Sequence, residues 1–226
     1  MDIEREIDES ESILKKIKQF EPDPYYVNYF FNSYLFSVNK VYRGIFEEAN
    51  RDFGLFISEY TRDSFLEKAN EKNDQKAVGF GIWFEKKYNE YHLSGYPNFI
   101  KKCCKFQNDD KRLPKIKVMI KAKKRYANDP NQEIICNMKD GKIGSKEELR
   151  IEIRRQLPIF LEIINYKRSN YKEPVINKNQ VSVSTFLDID GNEDIEILDA
   201  SKMYISVLKR LVFEAREKIK ELTRLI

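Results

Sequence analysis

Apolar residues recur at Ile3, Ile7, Leu14 and Ile17, the spacing of one helical face, which predicts a helix over residues 3–20. Asp23-Pro24 restarts the chain, with the proline suited to a first helical turn. From Tyr25 through Phe31, Leu35, Val41 and Phe46 apolar side chains cover more than one face, so a long, heavily buried helix is expected to about Asn50. A third helix is expected over 56–71. Asp74 can cap a fourth over 75–92, which carries Ala77, Phe80, Trp83, Phe84 and Tyr88 on one side. Ser94-Gly95-Tyr96-Pro97 breaks that helix, and a short fifth one follows over 97–107. Residues 1–112 thus read as a four- to five-helix bundle.

The period then changes. Ile116-Lys117-Val118-Met119-Ile120-Lys121-Ala122-Lys123 alternates apolar and cationic residues, the signature of a half-exposed strand, with 133–138 as its partner. After the Asp140-Gly141 turn, Ser145-Lys146-Glu147-Glu148 fits a capping box opening a helix to about Tyr166, with Pro158 placed to kink it. A second hairpin is expected from Gln180–Phe186 and Ile195–Leu198 around Asp190-Gly191-Asn192. Met203, Tyr204, Val207, Leu208, Leu211, Val212, Ala215, Ile219 and Leu222 form one stripe on a closing helix over 200–225. The expected fold is α+β and mostly α. A four- to five-helix bundle carries two β-hairpin excursions and a long C-terminal amphipathic helix in a single domain over 1–226, with the hairpins and two helices of 113–226 packing on the bundle.

Composition supports a globular chain: 226 residues, 41% hydrophobic and 35% charged, with 15 Phe and 13 Tyr against eight Gly. No apolar run is long enough for a bilayer span, and the N-terminus lacks the basic-then-apolar order of a signal peptide. Three cysteines, two of them adjacent (Cys103-Cys104), do not make a disulfide framework, so a reducing, cytoplasmic setting is expected. The net charge of +4 conceals an asymmetry: residues 101–125 hold eleven Lys or Arg against two Asp, a net of +9, which leaves −5 for the rest. One segment can meet a polyanion, and the remainder would repel it.

His92 is the only histidine. A Ser-His-Asp triad or Cys-His pair would have to use it, and a multi-histidine metal site cannot exist. It ends the run Lys87-Tyr88-Asn89-Glu90-Tyr91-His92. A cation beside an imidazole suits phosphodiester cleavage, the imidazole relaying a proton and the ammonium holding phosphate. Five residues apart on a helix, Lys87 and His92 lie about 140° apart around the axis, so they can share a pocket only if the helix end loosens. A helical bundle carrying a basic residue, four residues and then histidine resembles the HEPN family of nucleotide-processing and RNA-cleaving helical domains, over roughly residues 24–110 with the C-terminal helix joining the bundle. That family's pattern is Arg, then four to six intervening residues, the first usually polar, and then His. Here Lys87 and Tyr88 stand at those positions, and an ammonium cannot grip phosphate bidentately as a guanidinium does. The resemblance implies either a metal-independent ribonuclease using His92 and Lys87 or a relative that keeps the architecture without the chemistry.

Lys115, Lys117, Lys121 and Lys123 share a strand parity and would project from one face; with Lys101, Lys102, Lys105, Lys124 and Arg125 they form the candidate nucleic-acid contact, flanked by Phe106 and Tyr126 for base stacking. The competing structural reason for such a row is protection of an edge strand against aggregation. Asp188-Ile189-Asp190-Gly191-Asn192-Glu193-Asp194 alternates carboxylates like a calcium loop, but its glycine falls too early and its flanks read as strands, so it is expected to be a polar turn. Cys103, Cys104, Cys136 and His92 lack the spacing of a zinc set, and 140–146 does not match a P-loop. Gly79 and Gly81, inside the fourth helix, suit close helix packing. No metal or cofactor is expected. The leading expectation is non-catalytic binding of RNA or another polyanion; the alternatives are the ribonuclease above and a structural protein that self-associates, with the C-terminal stripe as a dimer seam.

Overall fold

In the computed structural model, residues 2–109, 113–123, 133–137, 146–172, 174–191 and 193–224 are described, and of 121–123, 133–137, 146, 149 and 150 the backbone alone. Among the described residues, seven α-helices and four strands follow in the order α1 (Ile3–Phe20), α2 (Pro24–Phe53), α3 (Arg62–Glu71), α4 (Gln75–Tyr91), α5 (Gly95–Asn108), β1 (Lys117–Lys123), β2 (Glu133–Asn137), α6 (Lys146–Asn170), β3 (Val181–Leu187), β4 (Ile195–Glu196) and α7 (Ile197–Arg224). The protein is α+β and mostly α, with a long C-terminal helix. No described helix is long and apolar enough to cross a membrane. The chain divides into two compact units: a helical unit of 1–16, 30–113 and 198–226, and a second unit of 17–29 and 114–197.

Within the helical unit, α2 supplies the axis. Phe31, Tyr34, Leu35, Val38, Val41, Ile45, Phe46 and Ala49 are buried at helical spacing. Phe36 is 55% exposed with the Lys40 ammonium over its ring, so burial follows one broad stripe rather than the whole circumference. The α1–α2 seam is close because small residues meet there: Ser10 donates to Ser37 at 2.9 Å, and both hydroxyls reach the Glu6 carbonyl. Phe46 packs on Phe65, Phe80 and Phe84 with ring centroids 4.9 to 6.3 Å apart, joining α2, α3 and α4 in one aromatic core. Gly81 lets α4 approach α3, because a Cβ there would fall within 2.9 Å of Leu66 Cγ; Gly79 faces open space. Asp74 caps α4 as expected, accepting from the N–H groups of Lys76 and Ala77.

The third helix begins at Arg62, not at 56. Gly54 and Phe56 both have positive φ, and Thr61 caps the helix by accepting from the Ser64 N–H, so local backbone geometry overrides the apolar pattern of 56–61. On α7, Tyr204, Leu208, Leu211, Val212, Ala215 and Ile219 are buried in the helical unit. Met203, expected on that stripe, is exposed. Arg216 ties α7 to Glu48 of α2 and Glu4 of α1.

In the second unit both hairpins form, although the last strand stops at Glu196 and Ile197 and Leu198, expected in it, open α7; the hairpins share one antiparallel sheet of order β2-β1-β3-β4 because β1 also pairs with β3. Val118 and Ile120 of β1 meet Phe160 and Ile164 of α6 and Ile176 in a core that covers one sheet face. Helix α6 runs through Pro158. β4 is only two residues long and leaves the Thr185 N–H of β3 unpaired by a strand. Glu21 caps it instead, accepting from the backbone N–H at 2.8 Å and the hydroxyl at 2.7 Å. Lys111, Arg112, Lys124, Arg125, Tyr126, the Asp140-Gly141 turn, Ser145 and Asn192 lie outside the described residues.

Candidate functional site

Helix α4 stays regular to its end, where His92 is the C-cap and its N–H bonds to the carbonyls of Tyr88 and Asn89. The loosening that would bring Lys87 and His92 into one pocket does not occur. Lys87 instead faces carboxylates, Glu90 at 3.2 Å and Glu214 of α7 at 3.9 Å. Glu214 also accepts from Tyr91 and Arg210, so Lys87 is one member of an α4–α7 charge cluster. Among the described residues no hydrogen bond joins Lys87 to His92.

His92 turns inward and is 2% exposed. Its Nδ1 lies 2.6 Å from the Tyr88 carbonyl oxygen, which can only accept, so Nδ1 carries the proton. In the neutral ring Nε2 is then the acceptor, and the Tyr204 hydroxyl donates to it at 2.6 Å. That spends the Tyr204 proton, so Tyr42 donates in turn to the Tyr204 oxygen. The imidazole also stacks on Tyr88 with centroids 4.1 Å apart. Burial pushes its pKa down to about 4, the Lys101 charge acts the same way, and the bond to Tyr88 opposes both. Near neutral pH the ring is therefore uncharged, with both nitrogens committed. The signal for this network was present as an aromatic-rich setting, but Tyr204 lies 112 residues away and no local pattern links it to His92.

The nucleic-acid candidates divide between the two units. Lys101, Lys102 and Lys105 are on α5 of the helical unit; Lys115 and the β1 lysines belong to the second unit. Lys105 and Lys115 are exposed. Lys117 reaches Asp194 at 2.7 Å. Met119 shares the parity of Lys115 and Lys117 yet is buried, so the lysine-bearing face of β1 has a closed position in its middle. Lys121 is paired to both β2 and β3, Lys123 to β2 alone and Lys117 to β3 alone. The sheet order places β1 inside the sheet, not at its edge.

Beside the histidine network the helical unit holds a cleft of about 730 Å³ that sequence reasoning missed. Four elements and one loop line it. α2 contributes Asn39, Tyr42, Arg43 and Phe46; the approach to α3 and its first turn contribute 60–63; α4 contributes Phe84, Glu85, Tyr88 and Asn89; α5 contributes Lys101 and Asn108. Arg62 pairs with both Asp63 and Glu85. Lys101 donates to Asn89 Oδ1 at 3.2 Å and lies 5.1 Å from the Tyr88 ring centroid. Arg43 is exposed and has no carboxylate partner among the described residues.

The remaining motifs serve local structure. Asp188 accepts from the N–H groups of Asp190 and Gly191, at 3.1 and 2.7 Å, which is a side-chain-closed turn with Gly191 at φ +77°. Cys103 and Cys104 are buried thiols, and burial raises Cys104 to about 12. Among the described residues no group of three or more His, Cys, Asp or Glu could hold a metal ion. Comparison with protein-family models, with curated proteins and with solved structures gives no match for this chain.

Proposed function

We propose that the protein binds RNA or another polyanion without cleaving it, through the lysines of residues 101–125, on a HEPN-like helical bundle that lacks the family's acid–base machinery. The observation that carries this reading is the position of β1. Lysines on a strand are ordinarily explained as guards of a sheet edge, and β1 is an interior strand flanked by β2 and β3. Lys121 is paired to Ile135 of β2 and to Ser182 of β3, so edge protection does not account for it, and attraction of a phosphate backbone is the reason proposed here. The non-catalytic part rests on His92, whose two nitrogens are both used inside the core. An enclosed, neutral imidazole with no free nitrogen has no access to a ribose hydroxyl. The joining of α7 to the helical unit is consistent with the resemblance.

The test is binding of a labelled single-stranded RNA by the full chain, with the RNA checked for cleavage. Lys105→Glu and Lys115→Glu are expected to weaken binding several-fold each, because each reverses an exposed charge that no carboxylate neutralises among the described residues. Binding unchanged in both variants would overturn the polyanion reading. RNA cleavage by the unaltered chain that disappears in His92→Phe would establish the ribonuclease instead.

A further inference from the structure

We infer that the cleft between α2, α3, α4 and α5 is a binding site for a phosphomonoester carried on an aromatic group. This goes beyond the polyanion reading and does not rest on it. The cleft's volume of about 730 Å³ is in the range of small-molecule sites and far from that of packing defects. Its charge is divided unevenly. Arg62 is held by Asp63 and Glu85, a trio with one negative charge in excess. Arg43 and Lys101 remain, two cations on one cleft with no carboxylate partner among the described residues. Arg43 and Lys101 place two cationic side chains on one cleft, and a phosphomonoester, with several anionic oxygens, can accept from both at once. Arginine adds the forked geometry that grips a phosphate with two parallel bonds. The first turn of α3, at Arg62 and Asp63, lines the same space and brings the partial positive charge of a helix N-terminus.

The rest of the lining suits a flat ring. Tyr42, Phe46, Phe84 and Tyr88 form one aromatic wall, with Phe46 and Phe84 at 4.9 Å and Tyr42 and Tyr88 at 5.3 Å between centroids. Asn39, Asn89 and Asn108 offer amides that both donate and accept. That Tyr42 donates to Tyr204, which donates to His92, fixes the wall's orientation from behind. A phosphomonoester with a ring beside it has two sources: a free small molecule, or the 5′ end of an RNA strand, whose phosphate is carried on ribose next to the terminal base.

The experiment is calorimetric titration of the full chain with phenyl phosphate, inorganic phosphate and phenol, and with one short oligoribonucleotide bearing either a 5′-phosphate or a 5′-hydroxyl. The expected result is saturable one-to-one binding of phenyl phosphate, at least tenfold tighter than inorganic phosphate and absent for phenol. Binding is expected to weaken tenfold or more in Arg43→Gln and in Lys101→Gln, with melting temperatures unchanged. Tighter binding of the 5′-phosphorylated oligonucleotide, lost in Arg43→Gln, assigns the ligand to an RNA end; equal binding of the two oligonucleotides assigns it to a free molecule. No phenyl phosphate binding, binding indifferent to both substitutions, or inorganic phosphate binding as tightly as phenyl phosphate overturns the inference. Lys115→Glu should leave phenyl phosphate binding intact whether or not it affects RNA, so the two proposals fail separately.

Discussion

At the scale of residues, His92 shows how one buried ring is held in a single protonation state. Its folded pKa, about 4, lies below the ordinary value of 6.5. The unfolded chain therefore binds a proton that the folded chain refuses between those values. The neutral ring's contribution to stability is complete above pH 6.5 and falls as the pH drops from 6.5 towards 4, by about 1.4 kcal/mol per pH unit and on the order of 3 kcal/mol in all. Urea denaturation across that window should show this loss in the unaltered chain and a flatter profile in His92→Phe. Tyr204→Phe should destabilise the fold by about 1–3 kcal/mol, since it removes the donor 2.6 Å from His92 Nε2 and leaves that nitrogen the longer contact, 3.4 Å, to the Tyr42 hydroxyl. Tyr42→Phe should cost less, because the Tyr204–His92 bond survives it; a larger loss for Tyr42→Phe in thermal melts would contradict the direction assigned to the chain of donors.

Among the helices and strands, the two glycines of α4 make opposite predictions. Gly79→Ala meets open space in mid-helix and should stabilise by about 0.5–1 kcal/mol. Gly81→Ala drives a methyl into Leu66 and should destabilise by about 1–3 kcal/mol, with partial rescue by Leu66→Ala; chemical denaturation of the three variants checks both signs. The helices themselves were largely legible. α1 matched its expected limits, α4 and α7 nearly so, because their periods are long and a cap such as Asp74 marks where a helix must begin. The start of α3 was not legible, since it depends on the left-handed backbone at Gly54 and Phe56, which no apolar period reveals. Both hairpins were readable from alternation and turns. The β1–β3 pairing that fuses them was not, because it joins residues as far apart as Lys117 and Phe186 and hairpin signals are local.

For the whole molecule, the charge asymmetry was visible in composition, yet its spatial meaning was not. The basic segment that reads as one run is divided between α5 in one unit and β1 in the other, Lys117 is matched by Asp194, and Met119 closes the middle of its face. The cleft escaped notice for the same reason: Arg43, Arg62, Glu85 and Lys101 are unremarkable where they stand in the chain and become a site only when four helices converge. His92 and Lys87, adjacent enough in sequence to suggest a shared chemistry, are drawn into different neighbourhoods by Tyr204 and Glu214 of the same closing helix. A bundle built this way commits its histidine to packing, and the proposed reading gives its exposed lysines to a polyanion. The most direct test is a salt titration of RNA binding by the full chain, with the RNA examined for integrity at each point. The account predicts affinity that falls steeply as salt rises from 50 to 200 mM, by about tenfold or more, with the RNA intact throughout. Affinity indifferent to salt, or RNA cut in the course of the titration, would contradict it.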